Sequence, residues 1–225
     1  MLKVLITGSN GQLGRTLIQK KPGYVHIFEV NRKSLDLNNS NACKEVIRTF
    51  KPDWTINCGA FTNVENAEQN KDEAFKVNFE APKAFAEEIK DQGGKLLQIS
   101  TDFVFDGKFR NNPYPTEYPR SPNCIYGLSK AKGEEAVEKI LCRINRAIIL
   151  RTSWLISPFG KNFVLKMLDL HSKGNDINVV SDQIGVPTST FSLAEVCWQI
   201  INFKNQSLLF KQNDNNVFHW SDNGV

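Results

Sequence analysis

Apolar residues recur along this chain in two rhythms. Short, nearly continuous apolar runs fall at Leu2–Ile6, Val25–Val30, Trp54–Cys58, Lys95–Ser100 and Ala147–Leu150. Such runs predict strands covered on both faces. Between them, apolar residues at helical spacing predict helices. The first runs from about Gln12 to Gln19 and ends before Pro22-Gly23. The next is capped by Ser40, runs to Phe50 and is stopped by Pro52. A long helix is expected over Asp72–Gln92, locally adjusted near Pro82 and ended by Gly93-Gly94. Later helices open near Tyr126 and continue towards Cys142, and cover Phe163–His171 and Leu193–Phe203. Asp106–Pro122 reads as a Pro- and Asn-rich loop, and Asn213–Asn216 is polar enough for a mobile one. Strand–helix alternation predicts an α/β fold with a parallel sheet and right-handed crossovers.

Composition narrows the function. The 225 residues suit one α/β domain, and the net charge is only +4. Lysines are scattered rather than gathered, which argues against a nucleic-acid surface. Five cysteines, an odd number with no C-x-x-C, point to free thiols in a reducing compartment and hence to the cytoplasm. His26, His171 and His219 are far apart and have no Cys or Glu at ligand spacing, so no built-in metal site is expected. The chain enters its first strand at once, so no signal peptide is expected. No apolar run is long enough for a membrane span.

The candidate chemistry begins in Leu2–Gly14, LKVLITGSNGQLG. Gly8, Gly11 and Gly14 lie between a strand and a helix, in a G-x-x-G-x-x-G spacing that differs from the commoner G-x-G-x-x-G. Here one glycine makes the turn, one admits the phosphates close to the backbone and one lets the helix pack on the sheet. The helix N-terminus supplies free N–H groups. The alternative is a glycine-rich turn that binds nothing. In a dinucleotide fold the end of the second strand faces the adenosine ribose, where an acid binds the 2′-OH and an arginine accepts a 2′-phosphate. This strand ends Val30-Asn31-Arg32-Lys33, which favours NADPH and leaves open both NADH and an ordinary polar turn. The small residues of Gly59-Ala60-Phe61-Thr62, after the third strand, would border the same crevice.

Tyr126 and Lys130 stand at i and i+4, on one face of a helix. A free phenol titrates near ~10, and a nearby positive charge lowers that value. Ser100-Thr101-Asp102 ends a predicted strand, where open α/β sheets place ligands, and Thr101 can hydrogen-bond a carbonyl oxygen. The alternative is that Thr101 and Asp102 only cap the following loop.

Together these parts resemble the short-chain dehydrogenase/reductase superfamily in its extended, nucleotide-sugar-modifying branch. Ser100-Thr-Asp-Phe-Val-Phe-Asp-Gly107 resembles the S-T-D-Y-V-F-D-G signature of the dTDP-4-dehydrorhamnose reductases. Further strings that resemble this family are Asn57-Cys-Gly-Ala-Phe-Thr62 with Glu65 and Ala67-Glu68, Tyr126-Gly-Leu-Ser-Lys130, Arg151-Thr-Ser-Trp154 and Asp182-Gln-Ile-Gly-Val-Pro-Thr188. The resemblance covers essentially the whole chain. It implies a Rossmann-type, doubly wound parallel sheet over residues 1–151. Residues 152–225 would form a small, incomplete substrate-binding region whose strands and helices return to the core. It also implies NADPH- or NADH-dependent reduction of a dTDP-linked 4-keto-6-deoxy sugar, in dTDP-L-rhamnose synthesis for cell-surface polysaccharide.

Carried over position by position, Gly8, Asn10, Gly11, Gln12, Leu13 and Gly14 would hold the cofactor diphosphate. Asn31 and Arg32 would face the ribose, Asp36 and Leu37 the adenine, and Ala60, Phe61 and Thr62 the cofactor path. Thr101, Tyr126 and Lys130 would be catalytic, with Lys130 depressing the Tyr126 pKa and both also touching the cofactor. Thr101, Asp102 and Trp154 would face the sugar, the alternative for Trp154 being core packing. The string Phe218–Val225 resembles a late Y-H-x-S-x-x-G segment, after which relatives continue for several dozen residues. That further segment completes the sugar lobe and much of a dimer contact in relatives, some of which hold magnesium there. For this chain the expectation is therefore cofactor binding with weak or absent sugar turnover, a weakened homodimer and no magnesium site. Two other readings stay open: a nucleotide-sugar epimerase or dehydratase of the same superfamily, and a non-catalytic NADP-binding subunit resembling the methionine adenosyltransferase β subunit.

Overall fold

The computed structural model describes residues 1–108, 113–202 and 216–223. Its main sheet contains β1 (Leu2–Thr7), β2 (Val25–Val30), β3 (Trp54–Asn57), β4 (Lys95–Thr101), β5 (Ala147–Thr152) and β8 (Val217–His219). All pairings are parallel, in the order β2-β1-β3-β4-β5-β8. A parallel pair β6 (Leu155–Ile156) and β7 (Thr188–Ser189) stands apart from it.

Alternation along each strand explains the unbroken apolar runs. Val4 and Ile6 of β1 point to one face, with Ile56, Leu97 and Leu150, and meet α1 (Gln12–Gln19) and α8 (Thr190–Asn202) through Leu17, Leu193 and Trp198. Leu5, Leu96 and Ile149 point to the other face. They meet α2 (Ser40–Phe50), α5 (Ala81–Gln92) and α6 (Ile125–Ile140) through Ile47, Phe85 and Val137. Both faces are dry, as a parallel sheet requires. The remaining helices are α3 (Val64–Gln69), α4 (Lys71–Phe75) and α7 (Phe163–Ser172).

Several expectations are corrected. The cap of α2 is Asn39, whose side chain accepts from the Ala42 N–H at 3.1 Å, and Ser40 is already helical. The single helix over 72–92 is instead α4, a π turn over Lys76–Glu80 and α5, preceded by the unforeseen α3. The cause is Pro82, whose ring has no N–H for the Asn78 carbonyl four residues back and would crowd it, so the chain widens there. The freed carbonyl abuts Gly133 of α6, where a Cβ would overlap it. Of the expected mobile loop, residues 213–215 lie outside the described residues. Asn216 is buried, with its amide donating to the Cys142 carbonyl at 3.0 Å. Beyond β8, Asp222 accepts from the Ser189 N–H at 2.8 Å and from the Ser192 hydroxyl, so the late segment caps α8.

Candidate functional site

Strands β2 and β3 flank β1 on opposite sides, so the chain reverses its winding direction at β1. Ligands of open α/β sheets bind at such a switch point, beyond the carboxyl ends of the strands. Here the turn after β1 meets the turn after β3. Gly8 has φ +62°, and a Cβ on it would lie 2.8 Å from the Gly59 nitrogen. A Cβ on Gly14 would lie 2.8 Å from the Ser9 Cα. Only glycine fits either place. Gly11 donates to the Gly8 carbonyl at 2.8 Å and stands at the N-terminus of α1. Beneath the turn, the Thr7 hydroxyl donates to Asn57 at 2.5 Å and the Asn57 amide to Gln98 at 2.8 Å. This buried polar ladder fixes β1, β3 and β4 against one another.

A cleft of about 640 Å³ opens above these turns. Gly8, Asn10, Gly11, Gln12, Leu13, Gly14, Asn31, Arg32, Asp36, Leu37, Ala60, Phe61 and Thr62 all line it. Arg32 reaches over the rim, 83% exposed, and donates to Glu73 at 3.0 Å. The Asn31 carboxamide accepts from the Lys33 N–H at 2.9 Å, so it shapes the turn as well as facing the cleft. Hydrogen bonds from the Asn38 backbone and side chain hold the Asp36 carboxyl below the usual carboxylate range. The path at Phe61 is braced from the π turn. Asn78 accepts from the Phe61 N–H at 2.9 Å and donates to the Phe61 carbonyl at 3.0 Å and to the Ser129 hydroxyl of α6 at 3.0 Å.

Thr101, Tyr126 and Lys130 gather next to the cleft rather than in its lining. The buried Lys130 ammonium donates to the Ile99 carbonyl at 2.7 Å, and Ile99 lines the cleft. The Thr101 hydroxyl is close enough to the Tyr126 phenol to lower its pKa. It donates to Asp102 at 3.1 Å and accepts from the Phe103 N–H at 3.2 Å, so it caps the loop as well as facing Tyr126. Burial raises the Asp102 pKa, against the Thr101 hydrogen bond.

The expectation that Lys130 depresses the Tyr126 pKa is corrected. Burial pushes the phenol up to about 12, opposed by Thr101 and assisted by Asp102 and Cys124. Burial also pulls Lys130 down to about 8, while Glu134 and Cys58 oppose the fall. The ammonium is engaged with a backbone carbonyl, and desolvation dominates both groups.

Trp154 is not core. It is 44% exposed, and its indole lies where a Cβ on Gly185 would be 2.9 Å from the ring. Its backbone is left-handed, with φ +41°, a strained setting for a bulky residue.

Behind Lys130, one turn along α6, the fully buried Glu134 accepts from Arg120 at 2.6 Å and from Arg151 at 2.7 Å. Arg120 also meets Glu138 at 2.7 Å. These ions tie α6 to β5 and to the loop before α6. Sequence reading missed Glu134 and Asn78 because their partners are remote in the chain. The sequence signals were a glutamate at i+4 from a catalytic-type lysine and an asparagine four residues before a mid-helix proline. It also missed the turn over 157–162, which reaches the cleft with Gly160 and Lys161. Among the described residues, no group of three or more His, Cys, Asp or Glu side chains gathers as a metal site, and all five cysteines are free thiols.

Residues 2–225 match the family described as RmlD substrate binding domain. The chain belongs to this family. Among RmlD-family relatives, the dTDP-4-dehydrorhamnose reductase of Aggregatibacter actinomycetemcomitans is 38% identical over 202 residues, covering 89% of this chain and 67% of the relative. Among solved structures, a dTDP-4-dehydrorhamnose reductase from Clostridium acetobutylicum superposes with a TM-score of 0.86 at 35% identity, over 99% of this chain and 75% of that one. The dTDP-4-dehydrorhamnose reductase from Bacillus anthracis, solved in complex with NADP, gives a TM-score of 0.85 at 34% identity, over 100% of this chain and 76% of that one.

Proposed function

We propose that this RmlD-family chain reduces the C4 keto group of dTDP-4-dehydro-6-deoxy-L-mannose to give dTDP-L-rhamnose, with NADPH or NADH as reductant. One observation carries the reading. The Thr101–Tyr126–Lys130 cluster stands beside the cleft above the glycine-rich turn, in a chain that matches the RmlD family along its length.

The residues fit the cofactor. Gly8 and Gly14 let the turn close on Gly59 and on the start of α1 where any Cβ would meet backbone, and the N-terminus of α1 so placed offers free N–H groups to a diphosphate. We assign Gly8, Asn10, Gly11, Gln12, Leu13 and Gly14 to that diphosphate. Asn31 and Arg32 go to the ribose, Asp36 and Leu37 to the adenine, and Ala60, Phe61 and Thr62 to the path towards the nicotinamide. When bound, the nicotinamide supplies a hydride to the keto carbon. As charge builds on the keto oxygen, Tyr126 donates its proton there. A phenol raised to about 12 stays protonated at neutral pH, the state a donor needs. Thr101 orients the carbonyl and adds a hydrogen bond that strengthens with the charge. Lys130 holds the nicotinamide ribose hydroxyls, and Asp102 and Trp154 position the sugar. In this reading residues 1–151 carry the cofactor, and residues 152–225 combine sugar contacts with elements returned to the core. We place the protein in the cytoplasm, where its free thiols stay reduced. Among the described residues, no helix is long and apolar enough to cross a membrane.

Consumption of NADPH with the 4-keto sugar tests the reading. One cofactor oxidised per sugar reduced is the expected result. Conversion of the sugar without net oxidation would indicate an epimerase or dehydratase, and cofactor binding without conversion a regulatory subunit. The cofactor preference is tested separately. Arg32→Ala should weaken NADPH by about tenfold, the lower range for a hydrogen bond to a charged group, and leave NADH unchanged. Equal changes for both cofactors, measured by titration, would remove Arg32 from the 2′-phosphate site.

A further inference from the structure

We propose that Lys161 is a ligand of the cofactor diphosphate, delivered across the glycine-rich turn by the turn over residues 157–162. The proposal rests on the dinucleotide reading above and adds to it a residue from the far half of the chain.

Both neighbours of Lys161 touch the glycine-rich turn through Gln12. A Cβ on Gly160 would lie 3.3 Å from the Gln12 Cγ, and the Asn162 amide donates to the Gln12 side-chain oxygen at 3.1 Å. The placement is fixed from several sides. Gly160 turns the chain at φ +71°, and the Phe159 N–H donates to the Ser157 hydroxyl at 3.0 Å. Asn162 donates to the Ser157 carbonyl at 2.8 Å and accepts from the Leu165 N–H at 3.0 Å, capping α7. The Arg15 guanidinium of α1 covers the Phe159 ring at 4.4 Å. The turn is therefore clamped to α1 along its length.

Charge supplies the rest. Among the described residues, the cations lining the cleft are Arg32 and Lys161. Arg32 stands after β2, at the adenosine end, and is paired with Glu73. Lys161 stands at the glycine-rich end and makes no ion pair among the described residues. A diphosphate on Gly11 and the first turn of α1 carries negative charge, and among the described residues no other side-chain cation lines that end of the cleft. A flexible ammonium at the mouth answers that charge without the fixed geometry an arginine fork imposes.

The test is cofactor titration of Lys161→Ala, Lys161→Glu and Lys161→Arg in the full chain, with NADPH and NADH, at low and high salt. Circular dichroism serves as the fold control. Lys161→Ala should weaken NADPH and NADH alike by about fivefold, because the diphosphate is common to both. Lys161→Glu should weaken both further, Lys161→Arg should retain most of the affinity, and the differences should shrink at high salt. Wild-type affinity in Lys161→Ala would overturn the assignment, and so would a loss confined to NADPH, which would move Lys161 to the 2′-phosphate. A wild-type chain that binds neither cofactor would overturn the dinucleotide reading itself and this inference with it.

Discussion

Tyr126→Phe should lower turnover by roughly 10²–10⁴-fold while cofactor affinity stays at its wild-type value. In the proposed reaction the phenol is the proton source for the keto oxygen. Its removal leaves the ring, its edge-on packing against Phe103 at 5.5 Å and the helix intact. Lys130→Ala should lose both turnover and cofactor affinity, because the proposed reaction gives its ammonium the cofactor ribose as well as the reacting end. The pH profile separates the two residues. Lys130, pulled down to about 8 by burial, carries its charge below that pH and loses it above. Turnover should therefore decline as pH rises through about 8, while the Tyr126 phenol remains protonated. Initial rates across pH, with NADPH titrations beside them, check both parts. A Tyr126→Phe enzyme at the wild-type rate would require another proton donor.

Glu134→Ala should destabilise the fold by about 3–5 kcal/mol, the usual scale for breaking a buried ion pair from one side. The loss has a specific origin: Arg120 and Arg151 would face each other in the interior with no carboxylate between them. Glu134→Gln keeps the shape and removes the charge, so comparing the two separates packing from electrostatics. Burial alone would raise the Glu134 pKa, but the hydrogen bond and charge of Arg151, with Arg120, bring it below the ordinary value. A carboxylate with a depressed folded pKa contributes stability above its unfolded pKa and loses it as pH falls through the folded one. Urea denaturation of wild type should therefore weaken on acidification by more than that of Glu134→Gln. Equal stability of Glu134→Gln and wild type at neutral pH would show that the pair contributes nothing net.

Local signals made much of this legible in sequence. The strands could be read because both faces of a parallel sheet are apolar, and the cleft because its glycines, Asn31-Arg32 and Gly59–Thr62 follow successive strands, while Asp36 and Leu37 came only through the family resemblance. The Tyr126–Lys130 spacing placed two groups on one helical face. Effects of burial were not legible. The phenol and ammonium titrate according to what surrounds them, and periodicity does not report desolvation. Supports joined over long separations were hidden too. Asn78 reaches Ser129, Gln12 meets Asn162, and Glu134 pairs with Arg151, while each looks like an ordinary polar residue in its own window. Pro82 announced a helix adjustment but not the π turn, nor that the turn would brace Phe61.

The packing of α8 on α1 has a consequence in time. The glycine-rich turn is synthesised well before the residues that cover the face of α1 behind it. Thr16 bonds Thr190 at 2.9 Å across 174 positions, and Leu17 shares its apolar cluster with Leu193 and Trp198. Asp222, later still, caps the helix that supplies those partners. Contacts this distant in sequence close only after the intervening chain exists. During synthesis the glycine-rich turn thus waits for contacts from far along the chain before the helix behind it is braced.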